Sequence, residues 1–177
     1  MKTYNIKEKI KEYFFMNPTA KLRVRQMERE LKLPLPSVIR YCRELEKEGI
    51  LRKESVSGVS AYSADRTSKK FLIEKRLFNI KRIFESGLAE YIVKEHFNPV
   101  IVLFGSYSKG EDIEDSDIDL YIETQKKQHF NLQKFEKILN RRIHVFNYRN
   151  IKEVANHHLS NNIINGVTIN NFFEVFR

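Results

Sequence analysis

The stretch LFGSYSKGEDIEDSDIDLYI occupies residues 103–122. It begins inside a continuous apolar run, Val100 to Phe104, set off by Asn98-Pro99, and such a run reads as a strand buried on both faces. Gly105-Ser106 stops the run abruptly, and Gly110 follows within a few residues. Asp117-Ile118-Asp119-Leu120-Tyr121-Ile122 then alternates polar with apolar residues, the pattern of a strand with one wet face. Asp117 and Asp119 are expected to point the same way, and two like charges so placed need a cation to share. Hard divalent ions such as Mg2+ prefer oxygen ligands. Strand, Gly-Ser turn, helix and Asp-x-Asp strand together predict a phosphate-plus-metal site, with the backbone N–H groups of Gly105 and Ser106 facing phosphate oxygens.

Other phosphate and nucleophile motifs fail here. Gly105-x4-Gly110 starts like a Walker A loop, but Glu111-Asp112 stand where Lys-Ser/Thr is required. A nucleophile elbow needs glycines two before and two after a serine, and neither Ser106 nor Ser108 has both. The single cysteine, Cys42, forms no internal disulfide and reads as a small buried hydrophobe. Among the five histidines, His157 and His158 diverge on a helix, while His96 and His129 read as surface residues near helix ends.

The 177 residues carry a net charge of +9, and 41% of them are hydrophobic, enough for buried cores. Residues 1–66 hold 15 Lys+Arg against 9 Asp+Glu, residues 67–96 hold 7 against 4, and residues 97–177 hold 10 of each. The excess is N-terminal, so an anionic partner is expected there. No apolar run is long enough to span a bilayer, and the N-terminal stretch lacks a signal-peptide apolar core, so no membrane and a cytoplasmic location are expected. Lys126, Lys127, Lys134, Arg141 and Arg142 read as a solvated face or as the lining of an acceptor groove.

The N-terminal part predicts three helices: residues 5–15 with Ile6, Ile10, Tyr13 and Phe14; residues 24–32 with Val24, Met27 and Leu31; and a third from Ser37, whose hydroxyl is expected to cap it. Val38, Cys42 and Leu45 form the third helix's apolar stripe, and Gly49 closes it. Two strands, 50–56 and 59–63, follow around the turn Ser57-Gly58. Three helices and a hairpin in this order, with PSVIRYCRELEKEGIL at residues 36–51, resemble a winged helix-turn-helix domain. That resemblance implies double-stranded DNA as partner, with Ser37, Arg40, Tyr41 and Glu44 turned from the core toward base edges and Arg43, Arg52 and Lys53 near phosphates. Between the parts, residues 68–86 predict a long amphipathic helix with apolar positions 73, 77, 80 and 84, broken at Gly87. Its stripe either packs on one of the domains or joins two copies in a homodimer.

The whole of residues 103–122, with its preceding apolar strand, Gly-Ser, a second glycine and Ser-Asp-Ile-Asp-Leu, resembles the signature of the DNA polymerase β-type nucleotidyltransferase superfamily in its minimal form. The likeness extends more loosely over residues 88–177, including IINGVTI at 163–169 as a helix-to-strand ending. The expected fold is α+β in two domains: a winged helix-turn-helix at 1–66, connecting helices at 67–96, and a small mixed-sheet nucleotidyltransferase domain at 97–177. The resemblance implies transfer of a nucleoside monophosphate from an NTP such as ATP to an acceptor hydroxyl. By it, Gly105 and Ser106 hold the β- and γ-phosphates, Lys109 adds a nearby charge, and Asp117 and Asp119 ligate two Mg2+ ions. A protein hydroxyl is one acceptor the resemblance suggests.

One position departs from the family pattern. Active members carry a third carboxylate on a later strand, which here is Arg142-Ile143-His144-Val145-Phe146, and the expected acid position holds His144. An imidazole accepts a proton but is a poor Mg2+ ligand. Three outcomes follow: a slow enzyme using His144, substitution by Asp112 or Glu114, or a domain that binds nucleotide without turnover. In the last case the chain is a DNA-binding transcriptional regulator with a catalytically degenerate nucleotidyltransferase-like domain.

Overall fold

The computed structural model describes residues 5–56, 58–125 and 130–173, so Ser57, Lys126, Lys127 and His129 lie outside the described residues. The chain divides into two compact units, one ending at Phe78 and the other starting at Asn79. Among the described residues no helix is long and apolar enough to cross a membrane.

In the first unit, α1 (Ile6–Met16) is capped by the Asn5 side chain, which accepts from the Glu8 N–H. A two-residue strand, β1 (Lys21–Leu22), precedes α2 (Val24–Leu31) and α3 (Leu35–Lys47). The hairpin of β2 (Leu51–Val56) and β3 (Val59–Ala64) completes an antiparallel sheet of order β1-β3-β2. Helix α3 starts at Leu35, not at Ser37: Pro34 is its N-cap residue, and Pro36 sits in the first turn, where a missing N–H costs nothing. The Ser37 hydroxyl therefore has no capping role. Val38, Cys42 and Leu45 are fully buried with Ile10, Phe14 and Met27 in one core. Burial pushes the Cys42 thiol up to about 12, which keeps it an inert core group.

Helix α4 (Lys69–Glu85) runs across the point where the chain divides. Its expected apolar stripe does not pack as a unit, because Ile73, Leu77 and Phe84 are exposed. The buried positions are Phe71, Lys75, Asn79 and Ile83, spaced four apart. Two of these are polar, so the apolar stripe is not the face that packs within the chain.

The second unit continues through α5 (Leu88–Glu95), β4 (Val100–Phe104), α6 (Gly105–Lys109), β5 (Ile118–Glu123), α7 (Gln133–Leu139), β6 (Ile143–Tyr148), a 3-10 turn at Ile151–Glu153, α8 (His157–Ile164) and β7 (Val167–Asn170). Its mixed sheet has the order β6-β5-β4-β7: β4 is antiparallel to both β5 and β7, and β5 is parallel to β6. All five residues of β4 are buried, as its apolar run predicts. Ile101 and Leu103 enter one core with α5 and α7, while Val100, Val102 and Phe104 enter another with Ile151, Val154 and Ile163. Gly166 sits where a Cβ would overlap Val102 and the Leu103 carbonyl, so the turn from α8 into β7 depends on a bare backbone.

Several expectations for this unit are corrected. Strand β5 begins at Ile118, and its Asp119 face is not wet along its length, since Tyr121 lies fully buried in the second of these cores. Only the Asp119 and Glu123 ends of that face are partly open. His96 is buried, its ring against Phe130 at 4.3 Å, so it is not a surface residue. Arg141 is buried beside Asp112 and is not part of a solvated face, whereas Lys134 and Arg142 are exposed.

Candidate functional site

Strand β4 delivers Gly105 onto the flank of β5. Phe104 pairs with Asp119, and the next residue turns sharply into α6 with φ of +74°. The backbone at Gly105 comes so near that a Cβ there would overlap the Asp119 carboxylate. On the other flank, Asp119 pairs with His144 of β6, and Nδ1 of His144 lies 3.7 Å from Asp119 Oδ1. Gly105, at the end of β4, and His144, on β6, therefore lie on the two flanks of Asp119. Asp117 is exposed one step before β5, and Ser116 tightens the approach by accepting from the Ile113 N–H at 2.9 Å.

Burial raises the Asp119 carboxyl above its ordinary range; the His144 ring opposes this, and the Asp117 carboxylate adds to it. A half-buried carboxylate with a second one beside it is a place where a cation would relieve an electrostatic cost. No group of three or more His, Cys, Asp and Glu side chains among the described residues is arranged to hold a metal. The pair nevertheless fits Mg2+, which commonly takes one or two carboxylates and fills its other positions with water and substrate phosphates.

An aromatic wall stands beside these groups. Phe146 contacts the His144 ring at 4.2 Å and the Phe104 ring at 5.2 Å. In α6, Ser106 is half-buried, the Ser108 hydroxyl donates to the Gly105 carbonyl at 2.8 Å, and Lys109 is exposed in the last turn. A cleft of about 680 Å3 reaches Asp117 from the α7 side, lined in part by Glu114, Glu136, Asn140 and Arg142.

Asp112, expected either in a solvated loop or as a substitute third acid, is neither. It is 1% exposed, accepts from the Asn79 side chain at 2.7 Å, and lies 3.9 Å from the Arg141 guanidinium. Its burial removes it from any shared metal position with Asp117 and Asp119. Asn79, Phe146 and Gly166 are the residues of this region that pattern reading missed; Asn79 carried a weak signal as a polar residue among the apolar positions of α4.

In the first unit, Arg40 and Arg43 are exposed on α3, and Ser37 is half-buried. Tyr41 does not face away from the core: it packs partly against it, with the Arg40 guanidinium 4.3 Å over its ring. Glu44 lies 3.5 Å from Lys7, so it is held within the unit. Arg52 is paired with Glu54 at 2.7 Å, and Lys53 is exposed on β2.

Residues 87–169 match the family model described as Polymerase beta, Nucleotidyltransferase. That match begins at the Gly87 break and ends in β7, so it contains Gly105, Asp117, Asp119 and His144. It supports a nucleotidyltransferase domain over these residues and a general nucleotidyltransferase function. No curated protein and no solved structure matches the chain.

Proposed function

We propose that the domain at 97–177 moves a nucleoside monophosphate from an NTP to an acceptor hydroxyl. The observation that carries this reading is the placement of Gly105, at the end of β4, and His144, on β6, on the two flanks of Asp119, with Asp117 just ahead of them. Gly105 and Ser106 face the β- and γ-phosphates, and the bare backbone at 105 leaves room for the Asp119 carboxylate beside them. Lys109 adds a positive charge to the same side, and Asp117 and Asp119 hold Mg2+. A cation held by these two carboxylates would supply neutralisation of the charge developing on the transferred phosphoryl group and a lowered pKa at the acceptor. The acceptor oxygen attacks the α-phosphorus, the bond to the bridging oxygen breaks, and pyrophosphate leaves with the electron pair. In this reading Asp119 and His144 are the groups that take up the hydroxyl proton, with His144 on the flank of Asp119 opposite Gly105.

The first unit supports a winged helix-turn-helix at 1–66, because three helices precede a β-hairpin, and a short strand between the first two helices adds to that hairpin to make a three-stranded antiparallel sheet. In this reading α3 presents Ser37 and Arg40 to base edges of duplex DNA, with Arg43, Arg52 and Lys53 toward phosphates, and residues 67–96 connect the two domains. Incubation of the full chain with NTPs labelled at the α-phosphate, Mg2+ and a cell lysate tests the transfer. Label must appear on an acceptor and disappear with Asp117→Ala and with Asp119→Ala; transfer indifferent to both substitutions rejects the reading.

His144 at the position opposite Asp119 favours a second reading, a DNA-binding regulator whose nucleotidyltransferase-like domain binds nucleotide without turnover. Calorimetric titration of ATP and GTP, with and without Mg2+, separates the two when run beside the transfer assay. Nucleotide binding without transfer selects the regulator.

A further inference from the structure

The loop joining α6 to β5 is fixed by a polar cluster lying behind the site rather than in it. The Asn79 amide donates one hydrogen bond to the Tyr107 carbonyl at 2.9 Å and another to Asp112 Oδ1 at 2.7 Å. Tyr107 follows Gly105 by two residues, and its ring is buried in the core beneath the sheet. The other Asp112 oxygen faces Arg141 at 3.9 Å. Arg141 directly precedes Arg142, whose carbonyl accepts from the Ile118 N–H at 2.8 Å and so opens the pairing that brings His144 to Asp119. One buried carboxylate thus links the turn after β4, the helix α4 and the start of β6.

We infer that Asn79 and Asp112 are positioning residues for the proposed transfer: they hold the Gly105–Lys109 turn at a set distance from Asp117, Asp119 and His144. This rests on the reading of the site given above. Side chains at 79 and 112 are both almost fully buried, so neither touches substrate. Their effect is geometric, and geometry is costly here, since a misplacement of about 1 Å lowers a rate by on the order of 10²-fold. A polar pair kept in a core also carries a penalty when broken, because the remaining partner stays desolvated.

Asn79→Ala and the isosteric Asp112→Asn, each in the full chain, test the inference by two readouts. In the transfer assay with labelled ATP, kcat should fall by about 10- to 100-fold while the KM for ATP stays within about threefold, because the backbone donors of Gly105 and Ser106 still reach the phosphates while their distance from Asp117 and Asp119 is no longer fixed. In hydrogen exchange, amides of residues 105–119 should exchange faster while those of β4 stay protected. Equal losses in kcat/KM through KM alone, or unchanged exchange at 105–119 in both variants, overturn the positioning role. Exchange needs no turnover, so a parent chain that transfers nothing but loosens at 105–119 in both variants defeats the transferase reading and leaves the clasp standing. Should Asn79→Ala fail to fold, Asp112→Asn alone decides by the same criteria.

Discussion

Gly105 passes directly over Asp119, close enough that any side chain at 105 would take the place of the carboxylate. The turn that ends β4 and the acid at the second position of β5 are thus a single steric unit, and each limits what the other can be. Gly105→Ala should therefore do two things. Its φ of +74° costs an L-residue about 1–2 kcal/mol, and the added methyl displaces Asp119. We expect a Tm lower by several degrees, loss of nucleotide binding, and loss of transfer. Gly87→Ala is the control: it has the same backbone sign, with φ of +76° and open space where a Cβ would stand. It should lower Tm by a comparable strain term and leave nucleotide binding unchanged, as differential scanning fluorimetry and calorimetry would report.

His144→Asp puts a carboxylate opposite Asp119 in place of an imidazole. In the parent, the His144 ring offsets part of the upward shift that burial imposes on Asp119. Replacing it with a like charge removes that relief and adds repulsion, so the metal-free variant should be less stable than the parent at neutral pH. Mg2+ should reverse the order, raising the Tm of the variant more than that of the parent. Turnover should rise with it. A variant whose Tm ignores Mg2+ would show that the Asp117–Asp119 pair does not gather a cation.

The first unit carries its own pH dependence. Glu54 accepts from Lys21 at 2.6 Å and from the Ser63 hydroxyl at 2.9 Å, and it pairs with Arg52 at 2.7 Å. These contacts, the Lys21 hydrogen bond foremost, hold its carboxyl at about 2, well below the ordinary glutamate range. A folded-state pKa depressed in this way gives stability that is present above the unfolded-state value and lost as pH falls through the folded one. The difference in denaturation midpoint between the parent and Glu54→Gln should be constant from pH 6 to 8 and shrink below about pH 4.5. A difference that persists undiminished at pH 2.5 would assign the effect to packing instead of charge. Because Lys21 sits in β1 and Glu54 in β2, on either side of β3, the same substitution should loosen β1 first.

What the sequence disclosed, and what it did not, follows from how each residue is stabilised. The strand at 100–104 was legible because both faces are apolar and both are buried. Gly105, Asp117 and Asp119 were legible because their spacing is set by local chain geometry. Asp112 was not, since its partner Asn79 lies 33 residues away and no local pattern marks a carboxylate that will be buried. The packed face of α4 was not legible for the same reason: Lys75 and Asn79 are buried, while Ile73 and Leu77 remain outside. Strand β1 has two residues and no periodicity to detect.

The reading of α3 as a DNA-contacting helix makes a graded prediction, since its cations are not equivalent. Arg40 and Arg43 are exposed on α3 and Lys53 on β2, free of the tight carboxylate contact that Arg52 makes with Glu54. Arg40 does lie 3.8 Å from Glu44, but that i,i+4 contact is exposed and weak. Each phosphate contact contributes a slope of about −0.9 to the dependence of log affinity on log salt. Arg43→Ala and Lys53→Ala should each weaken duplex binding across sequences and reduce the slope by about one. Arg40→Ala, placed toward base edges, should relax preference among duplexes more than it changes the slope. Arg52→Ala should lower stability through its loss to Glu54 and change the slope less than Lys53→Ala does. Fluorescence anisotropy with selected and random duplexes at several salt concentrations measures all four. Binding that is absent, or insensitive to salt, would remove DNA as the partner of the first unit and leave α3 as a packing helix.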